Sequence, residues 1–285
     1  MNKDSALYHH PGWSDQRFLR VCKDCDRSRP RCKRCGIPIS SSEPFPLCPT
    51  CLQDVPRCLS CGRPITGRYY EINDKGPYCP DCHKHRPVCD TCGAPLGAEQ
   101  WILSDGRIAC GDCHKTAIYE QPAAVQEYDS IKSYVASLLG LSLNIATPVV
   151  LVDRNQLAEI ARQQKMAEAD QIDMVLGVYA RVGMRRGIYM QTGLPRTLFV
   201  QVAAHEYAHA WQGENCPMLR DSRVREGFAE WVAYKTLVSL GLEKQRARML
   251  QREDIYGEGL RWALQVERRG GALAVMETCR TAGNG

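Results

Sequence analysis

The spacing of hydrophobic positions changes near residue 120. Beyond it, apolar residues recur with the periods of helices and strands. The pattern predicts a helix over 129–139, a strand over 148–152 and a helix over 156–164. Two strands, 175–182 and 187–191, are separated by the turn-forming Gly183 and the charged pair Arg185-Arg186. Helical periods return at 197–212 and again at 224–234. This order predicts a small mixed sheet with packed helices, an α+β fold over residues 128–285. The stretch 119–127, Tyr-Glu-Gln-Pro-Ala-Ala-Val-Gln-Glu, reads as a linker.

Before residue 119 cysteine sets the pattern. Fourteen of the 16 cysteines lie at or before Cys113, and only Cys216 and Cys279 lie beyond it. A repeat runs through this region: Cys32-Lys-Arg-Cys35-Gly-Ile-Pro-Ile, Cys58-Leu-Ser-Cys61-Gly-Arg-Pro-Ile and Cys89-Asp-Thr-Cys92-Gly-Ala-Pro-Leu. Each opening pair is answered by a closing pair, Cys48/Cys51, Cys79/Cys82 and Cys110/Cys113. Two residues separate the sulfurs of every pair, the spacing that lets both reach one ion, so three structural Zn2+ sites of four cysteines are expected over about 22–52, 58–82 and 89–113. Disulfides are the other reading of such pairs. The glycine after each opening pair suits a tight knuckle, and a short hairpin of 68–70 against 76–78 fits the second loop. Such modules fold on their metal rather than on a core.

Cys22 and Cys25 resemble a closing pair without an opening half, and two readings stay open: a fourth structural site completed by His9 and His10, or an unfilled remnant. His83, His85 and His114 flank closing pairs already complete in cysteine and read as surface residues.

Charge narrows the partners. The formal net charge of +5 is spread over the chain, residues 1–120 carrying +3. Four thiolates leave about −2 on each filled zinc site, so three such sites would bring the first part to about −3. A nucleic-acid partner, which needs a basic face, is not expected. No apolar run reaches ~18 residues, and the first seven residues are polar, so a cytoplasmic protein without a membrane partner is expected.

The predicted helix 197–212 contains His205-Glu206-Tyr207-Ala208-His209. Side chains four apart share a helix face, so both imidazoles can grip one Zn2+ while Glu206 serves as the general base for a water. The third ligand is assigned to Glu226, 17 positions after His209 on the next helical segment, and Glu230, one turn later, to the free ring N–H of His205 or His209. The reverse assignment of the two glutamates is the alternative. Tyr256, between Ile255 and Gly257, is a candidate oxyanion stabiliser as well as a candidate core tyrosine.

These residues resemble a family. Gly193-Leu-Pro-Arg196, Ala204-His-Glu-Tyr-Ala-His-Ala-Trp211, Glu226-Gly227 and Tyr256-Gly-Glu-Gly-Leu-Arg261, together with the cysteine array, are similar to the LIM-domain zinc metallopeptidases that restrict organ growth in plants and their bacterial relatives. The resemblance covers roughly residue 58 to the end of the chain. It implies a glutamate-zincin peptidase domain and the same ligands His205, His209 and Glu226. The Glu226-Gly-Phe-Ala stretch also looks like the third-ligand segment of zinc aminopeptidases. The array departs from a LIM domain in having six residues between Cys82 and Cys89, Cys79 where a histidine is usual, and an extra module before it. An acidic run leading into a ubiquitin-binding helix is not found in the sequence, so ubiquitin activation is not carried over.

The sequence therefore points to a zinc-dependent endopeptidase acting on a protein substrate, with the zinc array as a docking or regulatory surface for a protein partner. The competing reading is a non-catalytic, zinc-stapled adaptor, in which Glu206 would have no chemical task.

Overall fold

A computed structural model describes residues 5–10, 13, 18–42, 44–164, 175–182 and 184–282. It mixes helices and strands, and its contacts gather into two units, Met1–Gln100 and Trp101–Gly285.

In the first unit, β1 (Ser5–Tyr8) pairs antiparallel with β2 (Leu19–Cys22), and α1 (Lys23–Ser28) follows. The sequence repeat becomes a backbone repeat. Gly36, Gly62 and Gly93 have φ of 74°, 73° and 69°, and each donates its N–H to the carbonyl of the opening cysteine, Cys32, Cys58 or Cys89, at 2.8 Å. A side chain at that φ would be strained, which is why glycine recurs there. Short helices α2 (Pro49–Gln53) and α3 (Pro80–His85) carry the second closing cysteine, and Cys48 and Cys79 occupy their N-cap positions. The buried clusters are small and made largely of cysteine, so this unit has little apolar core to hold it. The hairpin is displaced from its expected place: β3 (Tyr70–Ile72) pairs with β4 (Lys75–Tyr78). The reason is the turn, in which Asn73 and Asp74 both take positive φ, a conformation these two residue types tolerate.

In the second unit, β5 (Gln100–Ile102) and β6 (Ile108–Cys110) form the last hairpin, followed by α4 (Gly111–Lys115) and β7 (Ala117–Ile118). The contacts of residues 101–118 lie with the C-terminal part of the chain rather than with an array ending at 118. Two interactions hold them there. β7 pairs with β11 (Leu194–Pro195), and the Arg107 guanidinium, bound to Asp105 at 2.9 Å with both side chains out of solvent, donates to the Thr192 carbonyl at 2.7 Å. The expected linker 119–127 is also corrected. Residues 121–127 are the first turns of α5 (Gln121–Leu139), because Pro122 is tolerated at a helix start and Ala124, Tyr128, Ile131, Val135 and Leu139 form one buried stripe.

The mixed sheet has the order β8-β10-β9, where β8 is Val149–Val152, β9 is Gly177–Val182 and β10 is Arg185–Gln191. β10 runs parallel to β8 and antiparallel to β9. Arg185 and Arg186 belong to β10 rather than to a turn, since buried Arg186 is neutralised by Glu214 at 2.8 Å; Gly183 lies outside the described residues. Helix α6 (Arg154–Gln163) starts at a capping box of Asp153 and Gln156.

The sheet packs on α7 (Arg196–Asn215), which is buried on nearly every face from Phe199 to Gln212 and reads as apolar all round for that reason. Next come α8 (Ser222–Ser239), capped by Asp221, α9 (Glu243–Gln251) and α10 (Ile255–Thr281). Helices α8 and α10 touch backbone to backbone. A Cβ on Gly227 would stand 2.6 Å from the Gly259 carbonyl oxygen, and one on Gly259 would stand 2.7 Å from the Gly227 Cα.

Two outcomes follow. Gly227→Ala should cost about 1–3 kcal/mol through overpacking and lower the thermal midpoint by several degrees in a melting experiment. Burial would raise the Asp105 carboxyl, but the Arg107 guanidinium and the Arg154 amide outweigh it and hold the group below its ordinary value. Its contribution to stability is complete above the ordinary carboxylate range and is lost as pH falls through the depressed value. Asp105→Asn should therefore flatten the acid side of the stability profile measured by denaturant titration.

Candidate metal centres

Four groups of converging donor atoms occur among the described residues: His10 with Cys35, Cys48 and Cys51; Cys58, Cys61, Cys79 and Cys82; Cys89, Cys92, Cys110 and Cys113; and His205, His209 and Glu226. The second and third match the expected four-cysteine sets.

The first differs by one residue. His10 is buried, with Nε2 3.1 Å from the Cys51 Sγ, and so joins the module it was expected to precede rather than Cys22 and Cys25. Cys32 stays at the same place, buried and close enough to Cys35 and Cys51 for their thiols to interact. Five side chains thus approach a position suited to a four-coordinate ion. Cys22 is exposed on β2, and the side chain of Cys25 lies outside the described residues.

Local backbone prepares these sulfurs for the thiolate form. Burial raises the Cys32 thiol, yet the amides of Cys48, Cys35 and Arg34 outweigh it and bring the group to about 6. Burial likewise opposes ionisation of Cys61, which the Arg63 side chain and amide bring to about 6. Its partner Cys82 is pushed up to about 12, chiefly by burial. A cation bound among these sulfurs would favour the thiolate of each one that ligates it. The flanking histidines serve packing, His83 stacking on Tyr70 with ring centres 4.0 Å apart and His114 on Trp101 at 4.4 Å. His85 is exposed on α3.

The fourth group is built by the crossing of α7 and α8. His205 and His209 are one turn apart on α7, and their Nε2 atoms lie 2.9 Å from each other. The Oε2 of Glu226, on α8, lies 3.4 Å from the first and 3.3 Å from the second. Ligand atoms arranged tetrahedrally at ~2.0–2.1 Å from a zinc ion stand about 3.3 Å apart. The three donors fit such an ion without displacement of either helix.

Glu226 and His209 are held from behind by hydrogen bonds, and His205 faces a second carboxylate. Glu226 Oε1 accepts from the Arg225 guanidinium, at 3.0 Å from Nε and 2.9 Å from Nη2, which turns Oε2 toward the histidines. Glu230 Oε1 lies 3.2 Å from the His205 Nδ1, where the sequence places it. His209 uses a different partner, Gln212, whose Oε1 accepts from its Nδ1 at 2.8 Å while its Nε2 donates to the Arg225 carbonyl at 2.9 Å. That bond puts the ring proton on Nδ1 and leaves the Nε2 lone pair for a cation. Gln212 was not anticipated, although its position three residues beyond His209 was the signal, since such residues meet on one helix face.

Without an ion the charges pair among themselves. Burial opposes protonation of His205, but Glu226 and Glu230 raise it well above the ordinary imidazole range. Burial would raise Glu226, and the two histidines instead hold it far below the usual carboxylate range.

A cleft of 230 Å³ opens beside these donors and is lined by His205, Glu206, Glu230, Arg252, Tyr256 and Gly177 among others. Glu206 accepts the Tyr179 amide N–H of β9 in its Oε2 at 2.7 Å. The sheet and α7 approach closely there because residue 177 is glycine: a Cβ would stand 2.5 Å from Val202 Cγ1 and 3.1 Å from Glu206 Cγ. The Tyr256 ring lies 5.9 Å from that of His205, beneath the Arg252 guanidinium at 4.6 Å. Burial, reinforced by the Glu226 charge, raises the Tyr256 phenol and keeps it protonated.

No protein-family model matches the chain, and no curated protein or solved structure matches it.

Metal analysis of the purified protein should return one ion for each of the four groups. His209→Ala should remove a single equivalent and leave the cysteine-bound ions in place, measured by inductively coupled plasma mass spectrometry.

Proposed function

We propose that the chain is a zinc-dependent endopeptidase of the glutamate-zincin type, related to the LIM-domain metallopeptidases its motifs resemble, with the cysteine modules holding structural zinc and presenting a docking or regulatory surface to protein. The observation that carries this reading is the convergence of two imidazole nitrogens and one carboxylate oxygen within 3.4 Å beside a cleft that Glu206 also lines.

His205, His209 and Glu226 would hold the catalytic Zn2+, which when bound supplies Lewis-acid polarisation of a carbonyl and makes water a nucleophile near neutral pH. The chain's own residues do the rest. Glu206, anchored through Oε2 by the Tyr179 amide, retains a second oxygen to accept the proton of the attacking water and pass it to the departing amine. The protonated Tyr256 phenol borders the same cleft and donates a hydrogen bond to the carbonyl oxygen as negative charge develops on it. Gln212 keeps the His209 ring from rotating, and the Glu230 carboxylate beside His205 complements the charge of its ring.

The test is a comparison of wild type with Glu206→Gln in a cell-extract proteome, reading new peptide termini by mass spectrometry. Wild type should generate termini that the variant does not, and the variant should keep its full zinc content while its turnover falls by about 10²–10⁴-fold. Identical termini from both would leave the adaptor reading in its place. Tyr256→Phe should lower the turnover of a cleaved peptide by about 10²–10³-fold at unchanged metal content.

A further inference from the structure

Cys216 and Cys279 lie outside the cysteine array and take no part in any of the metal groups. Cys216 and Cys279 are 63 positions apart, both buried in the core of the second unit, and their Sγ atoms are in contact at 3.6 Å. We infer that this pair is a redox modification site, a dithiol that a hydroperoxide converts into an intramolecular disulfide joining the end of α7 to the last turns of α10.

The geometry asks for little movement. A disulfide needs its sulfurs about 2.05 Å apart, roughly 1.5 Å nearer than here. Cys216 is the C-cap residue of α7, with non-helical φ −132° and ψ 55° although its amide still donates to the Gln212 carbonyl at 2.7 Å, whereas Cys279 lies inside α10. The adjustment falls on the residue able to make it. No third donor of the kind a metal requires joins them among the described residues, so ligation does not compete for the sulfurs.

The two thiols are unequal. Contact with Cys279 and the charge of Arg280, whose guanidinium lies over the Trp211 ring at 5.2 Å, favour the thiolate of Cys216 against burial. Cys279 holds its proton. In the first step the Cys216 thiolate attacks the terminal oxygen of the hydroperoxide, the O–O bond breaks, and after protonation an alcohol (water, for hydrogen peroxide) departs, leaving a sulfenic acid. Cys279 then gives its proton to solvent and attacks the sulfenic sulfur, the S–O bond breaks and hydroxide leaves as water. The two thiols lose two electrons in all, and the peroxide gains them.

The site is one contact from the metal ligands. Gln212 Nε2 lies 3.5 Å from the Cys279 Sγ, and the same side chain orients His209 and binds the carbonyl preceding Glu226. Disulfide formation at Cys279 therefore alters the surroundings of an amide that touches both ligand-bearing helices, α7 and α8.

The experiment exposes zinc-loaded full-length protein to increasing hydrogen peroxide, blocks remaining thiols under denaturing conditions and maps the tryptic peptides 197–220 and 270–280. The expected product is these two peptides joined, lighter by two hydrogens and separated again by dithiothreitol, at peroxide levels below those that release zinc to a chromogenic chelator. In Cys279→Ser the same exposure should leave a sulfenic acid on Cys216 that a cyclic 1,3-diketone traps. Full alkylation of both cysteines in wild type after zinc release has begun would overturn the inference, and the wild-type mapping decides it even where the variant does not fold. Neither readout depends on peptidase activity.

Discussion

Three polar donor atoms in an apolar interior are the constraint around which the second unit is arranged. Two imidazoles and a carboxylate are expensive to bury unless each is matched by an opposite charge or a hydrogen bond. Here all three point at one another across the α7 and α8 crossing, within 3.4 Å; Arg225 and Gln212 bond the far sides of Glu226 and His209, and the Glu230 carboxylate faces His205 at 3.2 Å. The rest of the packing follows from keeping that crossing close. Gly227, next to Glu226, lets α10 approach α8 at backbone distance, and this brings Tyr256 near His205. Gly177 does the same on the sheet side and lets a β9 amide reach Glu206.

The first unit solves a different problem. Its buried clusters are small, and cysteines stand among their most deeply buried members. Its order comes from a local device repeated three times, a cysteine whose carbonyl is met by the amide of a glycine in the left-handed region. Amides of the closing pairs also reach these thiols, as with the Cys79 amide on the Cys58 sulfur at 3.3 Å. Such amides favour thiolate over thiol before any ion arrives. Affinity for a cation and local fold are then one property, and a chelator should act on both.

Much of this was legible in residue spacing because it depends on local geometry. The interval of four between His205 and His209 implies a shared helix face, and the repeated Cys-x-x-Cys-Gly implies a knuckle; both rules act within a few residues. What the sequence concealed depended on tertiary partners. Residues 121–127 looked like a linker because their polar face is conspicuous, while the buried stripe that makes them helical is completed only by Tyr128, Ile131 and Val135 farther on. Arg185 and Arg186 looked like a turn because Glu214, which neutralises Arg186, is distant in sequence. Whether His9 and His10 complete a site with Cys22 and Cys25 stayed open in the sequence, and proximity in space puts His10 beside Cys51. Helices α9 and α10 were not anticipated beyond the Tyr256 motif, in which Gly257 admits the chain around Arg252 and Gly259 the backbone of α8.

Cysteine has different chemistry in the array and at Cys216 and Cys279, and the difference lies in what surrounds the sulfur. In the array several thiols face one point and receive backbone amides or an arginine, which distributes negative charge over a shared pocket and suits a divalent cation. At Cys216 and Cys279 only two sulfurs meet, with a single side-chain amide and an adjacent arginine for company. Two ligands do not satisfy a four-coordinate ion, but two sulfurs in contact, one of them favoured as thiolate, are what disulfide formation needs. Cysteine number alone does not make this distinction; the count of donors converging on one point does.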